Sequence, residues 1–231
     1  MDKTTSPLFQ VGLVALICAV VSGCASTSPK ESATAAPPAG QAAARTVSPG
    51  TYQWSPPVHI SEADSVLNQP GTILAAACFG ATDSSITVTL SNGVKIVFKG
   101  DGSVATCTGS GATTGAFSPN TTGNSDFDTV LGGFEYDDGP HQITLNGLTD
   151  GKRYSVQLFA LDNRTDTGEN AREFNFADPA NSADVSQTAK MGDNVYVMAT
   201  FVAHGNSMVI QENLPDDNNG NLNALVLRQL P

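Results

Sequence analysis

Three charged residues lie close along the chain: Asp162, Arg164 and Arg172. Two guanidinium forks beside a carboxylate can grip sugar hydroxyls or a uronate carboxylate through paired N–H donors. They can equally brace a loop as an internal ion pair. Holding a pyranose also needs a flat ring, on which the apolar face of the sugar stacks. Aromatic residues make up only 6% of the chain, with one Trp, which excludes an extended aromatic platform and points to a pocket on a loop edge or a polar cleft. Two rings stand where a ligand can reach them. Trp54 lies beside Pro56-Pro57, where packing at the domain edge is the alternative, and Tyr136 lies in the turn-rich Phe134-Glu135-Tyr136-Asp137-Asp138-Gly139-Pro140.

A second kind of chemistry needs hard oxygen donors. Asp216-Asp217-Asn218-Asn219-Gly220-Asn221 is dense in them, and Asp216, Asp217 and Asn219 form a candidate structural calcium site. The EF-hand spacing fails because Gly220 comes one residue early, so a solvated turn is the competing reading; Asp137 and Asp138 are a weaker candidate. His59, His141 and His204 have no partner at zinc-ligand spacing, and each is expected as a surface histidine. A serine hydrolase is excluded: around Ser125 the G-x-S-x-G elbow fails at Phe127, and Asp138-Gly139-Pro140-His141 follows too closely in a β-rich chain. No carboxylate pair is marked out for glycoside hydrolysis. The residues favour binding without catalysis.

The elements that must position these groups are strands. Tyr154, Val156, Leu158 and Ala160 alternate onto one face of a strand over 152–161, and the same period carries Asp162 and Arg164 to its rim. Gln157, Phe159 and Asn163 share the opposite face. Arg172 returns on the next strand after a loop over 165–171, so the three charges are expected to converge at one end. Asn92-Gly93 between alternating runs over 85–90 and 94–98 marks a hairpin. Further strands are expected over 142–145, 195–203, 207–212 and 222–227, with two short helices over 61–67 and 126–131. About eight strands without βαβ spacing predict an all-β, two-sheet antiparallel jelly-roll sandwich.

Composition narrows the partners. The chain has 231 residues with 11 Lys+Arg against 22 Asp+Glu, a net charge of −11, which excludes a basic nucleic-acid binder. Residues 51–231 hold 8 basic and 20 acidic side chains, so neutral glycans are favoured over sulfated or carboxylated polymers unless an arginine or calcium ion bridges them.

The N-terminus reads as an address. Residues 8–21 form an apolar run too short to span a bilayer, which needs about 20 residues. Val21-Ser22-Gly23-Cys24 then resembles the lipobox of bacterial lipoproteins, with Val21 where that family prefers Leu. The resemblance implies a signal peptide over 1–23 and lipidation of Cys24. Ala25 in place of Asp implies the outer membrane, with the domain periplasmic or surface-exposed, and a membrane link through the lipid anchor only. Residues 24–50, rich in Ala, Pro, Ser and Thr, are expected to be a disordered tether to a domain over 51–231. Cys18 falls in the discarded run, which leaves Cys78 and Cys107. They are expected to pair in a disulfide closing a 29-residue loop, worth about 3 kcal/mol.

Several pieces of this domain carry a further resemblance: Trp54-Ser55-Pro56, Gly71-Thr72 leading into Leu74-Ala75-Ala76-Ala77, Ile143 to Phe159 with its Leu-Thr-x-Gly-x-x-Tyr-x-Val core, Asp162-Asn163-Arg164, Ala199-Thr200-Phe201 and Leu222 to Arg228. They resemble malectin-like and galactose-binding-like β-jelly-roll modules over most of 51–231. The resemblance implies the fold and a polysaccharide or glycan partner. The functional expectation is a surface-anchored, non-catalytic carbohydrate-binding lipoprotein. The alternatives are an envelope protein-interaction module or adhesin and, less favoured, a jelly-roll glycosidase or polysaccharide lyase.

Overall fold

The computed structural model describes residues 48, 50–80, 85–100, 102, 104–108, 111–113, 122–137, 140–164, 168, 171–215 and 220–231. Cys24, the signal and nearly all of the tether lie outside them. In chain order the strands are β1 (Tyr52–Trp54), β2 (Val58–His59), β3 (Thr72–Cys78), β4 (Ile86–Thr89), β5 (Lys95–Phe98) and β6 (Ala105–Cys107). Then come β7 (Gly111–Thr113), β8 (Phe134–Asp137), β9 (Gln142–Asn146), β10 (Arg153–Phe159), β11 (Glu173–Asp178) and β12 (Asn181–Val185). The last are β13 (Ala189–Lys190), β14 (Val195–Val202), β15 (Ser207–Asn213), β16 (Gly220–Leu222) and β17 (Ala224–Gln229). Two helices join them, α1 (Ala63–Leu67) and α2 (Ser125–Gly132).

Two six-stranded antiparallel sheets make the expected sandwich. One runs β1-β14-β10-β17-β3 with β2 added to β14, and the other runs β12-β11-β15-β9-β6 with β13 added to β11. The long strands β9, β10, β11, β14, β15 and β17 alternate between the sheets, the crossing pattern of a jelly roll. Between the sheets Tyr154, Val156, Leu158 and Ala160 meet Ile143, Leu145, Phe174, Phe176 and Ile210, as the alternation of β10 requires. Tyr154 stacks on Phe201 at 5.6 Å, and its hydroxyl accepts from the Thr149 N–H at 2.8 Å. The tyrosine of the Leu-Thr-x-Gly-x-x-Tyr-x-Val piece therefore caps the core.

The first sheet is buried on its other face too. There α1, α2 and the β4–β5 hairpin cover Ala76, Cys78, Phe159, Tyr196, Ala224 and Val226. Helix α2 begins where Asn124 Oδ1 accepts from the Asp126 and Phe127 N–H groups, both at 3.1 Å, and Asp126 and Asp128 complement the positive end of the helix. Phe127, Val130 and Leu131, at helical spacing, are buried, and Phe127 meets the Phe159 ring edge-on at 5.8 Å. The hairpin turns at Gly93, whose φ of +84° suits a residue without a Cβ. Inside this layer Gln157 Nε2 donates to the Val66 carbonyl at 2.9 Å. Arg228 donates to Gln157 Oε1 at 2.5 Å and to the Leu67 carbonyl at 2.7 Å. Both carbonyls lie at the C-terminal end of α1, where the helix carries negative potential. Burial pushes Arg228 down to about 10.

Two expectations need correction. The run over 222–227 is split at Asn223: β16 pairs with β8 in a separate three-stranded sheet with β7, and only β17 joins the sandwich. Asn223 marks the boundary: its N–H donates to the Phe159 carbonyl at 2.8 Å and its carbonyl accepts from the Phe79 N–H at 2.9 Å, both in line with the first sheet, and its buried side chain braces neighbouring segments. The side-chain amide donates to the Leu131 carbonyl at 2.9 Å and the side-chain oxygen accepts from the Leu161 N–H at 2.8 Å. The disulfide is also not formed. Cys78 faces the helical layer, where its Sγ lies 3.6 Å from the Val130 carbonyl, whereas Cys107 sits on β6 of the second sheet, against the inter-sheet core. The first sheet lies between the two environments.

Candidate functional site

Strand β10 ends at Phe159, and the chain turns out of the sheet through 160–164. Asn223 holds Leu161 there, and the Asp162 N–H donates to the Met191 carbonyl at 3.2 Å while the Met191 N–H donates to the Arg172 carbonyl at 3.0 Å. These backbone ties bring the three expected charges together. Asp162 Oδ1 accepts from the Arg164 N–H at 3.1 Å and from Arg164 Nε at 3.0 Å. Its Oδ2 accepts from Arg164 Nη2 and Arg172 Nη2, both at 2.6 Å, and from Asn221 Nδ2 at 2.9 Å. The carboxylate is fully buried, the Arg172 side chain is 8% exposed and the Arg164 side chain 30%. Burial pushes the Asp162 carboxyl up, but the hydrogen bonds from Arg164 and the charges of Arg164 and Arg172 outweigh it and hold it below its ordinary value. A carboxylate with five donors is an anchor. Of the three charges, Arg164 faces solvent most.

Arg164 also places a ring beside itself. Its guanidinium carbon lies 5.8 Å from the centroid of Phe134, and Phe134 and Tyr136, two apart on β8, pack ring to ring at 5.8 Å. Phe134 is buried, whereas Tyr136 is 46% exposed. Arg164, Phe134 and Tyr136 therefore form a strip that starts polar and ends in an open aromatic face. β16 pairs with β8 so that Asn221 stands opposite Tyr136. The same short sheet thus carries the exposed ring and a donor to Asp162. Trp54 does not join this group. Its Nε1 donates to Asp184 Oδ1 at 2.7 Å and its ring contacts Tyr52 and Phe176, so it packs half-buried at the sheet edge. Asp184 also accepts from the Tyr52 N–H at 2.7 Å.

Sequence reasoning missed three members: Phe134, Asn221 and Asn223. The two asparagines close a run of amides and acids that reads as solvated or metal-binding, and nothing in their spacing tells that Asn221 reaches Asp162 while Asn223 reaches Leu131 and Leu161. Asp216, Asp217 and Asn219 lie outside the described residues. Two surface clefts, of about 400 and 430 Å³, include no member of the strip; one is lined by Leu74, Lys95, Val97 and Lys99, the other by Glu62, Asp64, Ser91 and Asn124. Asp64 and the Ser91 hydroxyl form a close hydrogen bond, which with the Ser91 N–H holds the Asp64 carboxyl below its ordinary value.

His141 overturns the expectation of three surface histidines. His59 and His204 are exposed, but His141 is fully buried and its Nδ1 lies 2.7 Å from Oε2 of the equally buried Glu212. The Glu212 N–H donates to the His141 carbonyl at 2.9 Å. Among the described residues His141 Nε2 and Glu212 Oε1 have no hydrogen-bond partner, and each such buried atom costs about 1–3 kcal/mol. Among the described residues no three His, Cys, Asp or Glu side chains gather into a metal cage.

No family model and no curated protein matches the chain. Three solved structures are similar at 11% identity, each over 68% of this chain. The crystal structure of the plant receptor-like kinase ANX2 has a TM-score of 0.49. The ANX2 ectodomain and the ANXUR2 extracellular domain, both from Arabidopsis thaliana, have 0.48. The chain spans 41–42% of the length of those structures, and its fold rests on the strand pairings above.

Proposed function

We propose that the protein is a non-catalytic carbohydrate-binding lipoprotein, a malectin-like jelly roll held at the outer membrane by lipid on Cys24. The supporting observation is the strip itself. An open Tyr136 ring and a partly open Arg164 guanidinium flank the buried Phe134 ring, over an Asp162–Arg172–Asn221 base that fixes them. Stacking on Tyr136 supplies apolar area, and Arg164 supplies paired donors to ring hydroxyls. The acidic balance of the domain favours neutral glycans, and calcium at Asp216, Asp217 and Asn219 is a separate part of the proposal.

The test is a polysaccharide array on the purified full chain, run with calcium and again with EDTA. Retention on a defined sugar is expected. Tyr136→Ala and Arg164→Ala should each weaken it about tenfold, the equivalent of about 1.4 kcal/mol, and unchanged binding in both removes the site. Loss of retention in EDTA alone assigns the acidic run a role.

A second reading, an envelope protein-interaction module, is favoured by one observation. The cleft of about 400 Å³ is lined by the exposed Leu74 and Val97 together with Lys95 and Lys99, an apolar and basic patch on an acidic chain. Silence on every glycan with co-purification of an envelope protein would establish it.

A further inference from the structure

Strands β3 and β5 run parallel and are joined at one point. The Lys99 N–H donates to the Ala76 carbonyl at 3.0 Å and the Cys78 N–H donates to the Lys99 carbonyl at 2.8 Å, an isolated bridge opposite Ala77. Among the described residues no further rung follows. The register of β3 on β17 skips Leu74 between Ile73 and Ala75, and such a bulge bends its strand. The cleft of about 400 Å³ opens here, between residues 73–77 and 95–97. Within the β4–β5 hairpin the Leu90 N–H donates to the Val94 carbonyl at 2.9 Å. Antiparallel alternation then spends residues 96 and 98 on β4, and it turns the backbone groups of Lys95 and Val97 the other way, like those of Lys99, toward β3. Strand β5 therefore presents an edge to the cleft. Lys95, Val97 and Lys99 share its exposed face, while Ile96 and Phe98 are buried.

We propose that this cleft takes one extended, acidic segment of a partner protein, which adds as a strand to the β5 edge at Lys95 and Val97. The proposal rests on the protein-interaction reading of the cleft and names its partner; the glycan strip is independent of it. Main-chain hydrogen bonds to an open edge supply affinity, and side chains at every second position supply specificity. An apolar side chain packs on Val97, and carboxylates two residues to either side reach Lys95 and Lys99. Three of the six large hydrophobics exposed among the described residues, Leu74, Val94 and Val97, lie on β3, on β5 or directly before it. None of the described lining residues is acidic, although the chain as a whole is. Lysines on an edge repel a basic strand and leave a neutral one without a partner charge, so the strand they admit is acidic. The same charge argues against two other occupants. A second copy paired edge to edge through β5 would set lysine against lysine, and residues 24–50 carry Lys30 and Arg45 against a single Glu31.

The test titrates the purified full chain into a fluorescent, end-blocked peptide Thr-Glu-Thr-Val-Thr-Glu-Thr, which reads the same in both directions, and into its version with Lys for Glu. Anisotropy should show saturable binding of the Glu peptide, weakening as salt rises, and none of the Lys peptide. Lys95→Glu with Lys99→Glu alters two exposed side chains. It should weaken the Glu peptide at least about tenfold and bring binding of the Lys peptide instead. Val97→Pro removes an N–H that β4 does not use, a change an edge strand tolerates, and it should abolish binding of both peptides. No binding of the Glu peptide by the wild-type chain, or binding that the charge reversal leaves unchanged, overturns the proposal. Where that failure comes with an envelope protein that still co-purifies, the interaction reading stands and only the acidic strand falls. Where no envelope protein co-purifies, both fall.

Discussion

The molecule buries two carboxylates in opposite ways. Asp162 collects donors from two arginines and an asparagine and keeps one edge of its cluster at the surface through Arg164. Among the described residues Glu212 has a single side-chain partner, no open edge and an unmet oxygen. A saturated carboxylate is a brace, and what it offers a ligand is the far side of its partners. An under-satisfied pair is costly as it stands. The difference follows from where the donors come from. Asp162 sits where a loop, a strand start and the split strand meet, each with a side-chain donor, whereas Glu212 lies inside a sheet and, among the described residues, is reached by one side chain.

The largest effect is expected where the saturated brace is removed. Asp162→Ala takes away the anion on which Arg164, Arg172 and Asn221 converge, and should destabilise the chain by about 3–5 kcal/mol in urea unfolding. Asn223→Ala tests whether the split strand holds that loop; two buried hydrogen bonds are lost, for about 2–3 kcal/mol. The pH dependence comes next. The folded pKa of Asp162 lies below its ordinary value, so its stability is fully present above about pH 3.9 and is lost as pH falls through the folded pKa. A stability difference between wild type and Asp162→Asn that is constant above about pH 3.9 and shrinks as pH falls below it checks this sign.

The under-satisfied pair should respond far less. His141→Leu with Glu212→Leu removes both unmet atoms together, and is expected to alter the stability of the chain by no more than about 1 kcal/mol. A loss as large as that of Asp162→Ala would erase the contrast between the two clusters. Smallest of all, a thiol reductant should leave the unfolding midpoint unchanged, because Cys78 and Cys107 are not joined, and Tyr136→Ala should stay within about 0.5 kcal/mol of the wild-type stability while it weakens glycan retention.

Much of this was legible in the chain. The alternation of β10, the Asn92-Gly93 turn and the apolar spacing of Phe127, Val130 and Leu131 are local signals, each carried by neighbours within a turn or a strand. Convergence of Asp162, Arg164 and Arg172 was expected from that alternation, but β10 ends at Phe159 and the ties of Leu161 to Asn223 and of Asp162 and Arg172 to Met191 are what bring the charges together. The helical layer over the second face of the first sheet was not legible, because Gln157 and Arg228 look like surface residues until the α1 carbonyls that accept from them are placed. Cysteine parity suggested a bridge without saying which side of a sheet each thiol faces.

The amino-acid sequence by itself determined the all-β class, the strand periods and both short helices, since period and capping act over a few residues. Only the tertiary structure decided that Tyr136 stands beside Arg164 across Phe134, that Trp54 packs elsewhere, that the last run divides at Asn223 between two sheets and that His141 is buried on Glu212. Those facts depend on contacts between segments tens of residues apart, for which a linear pattern of residue types has no term.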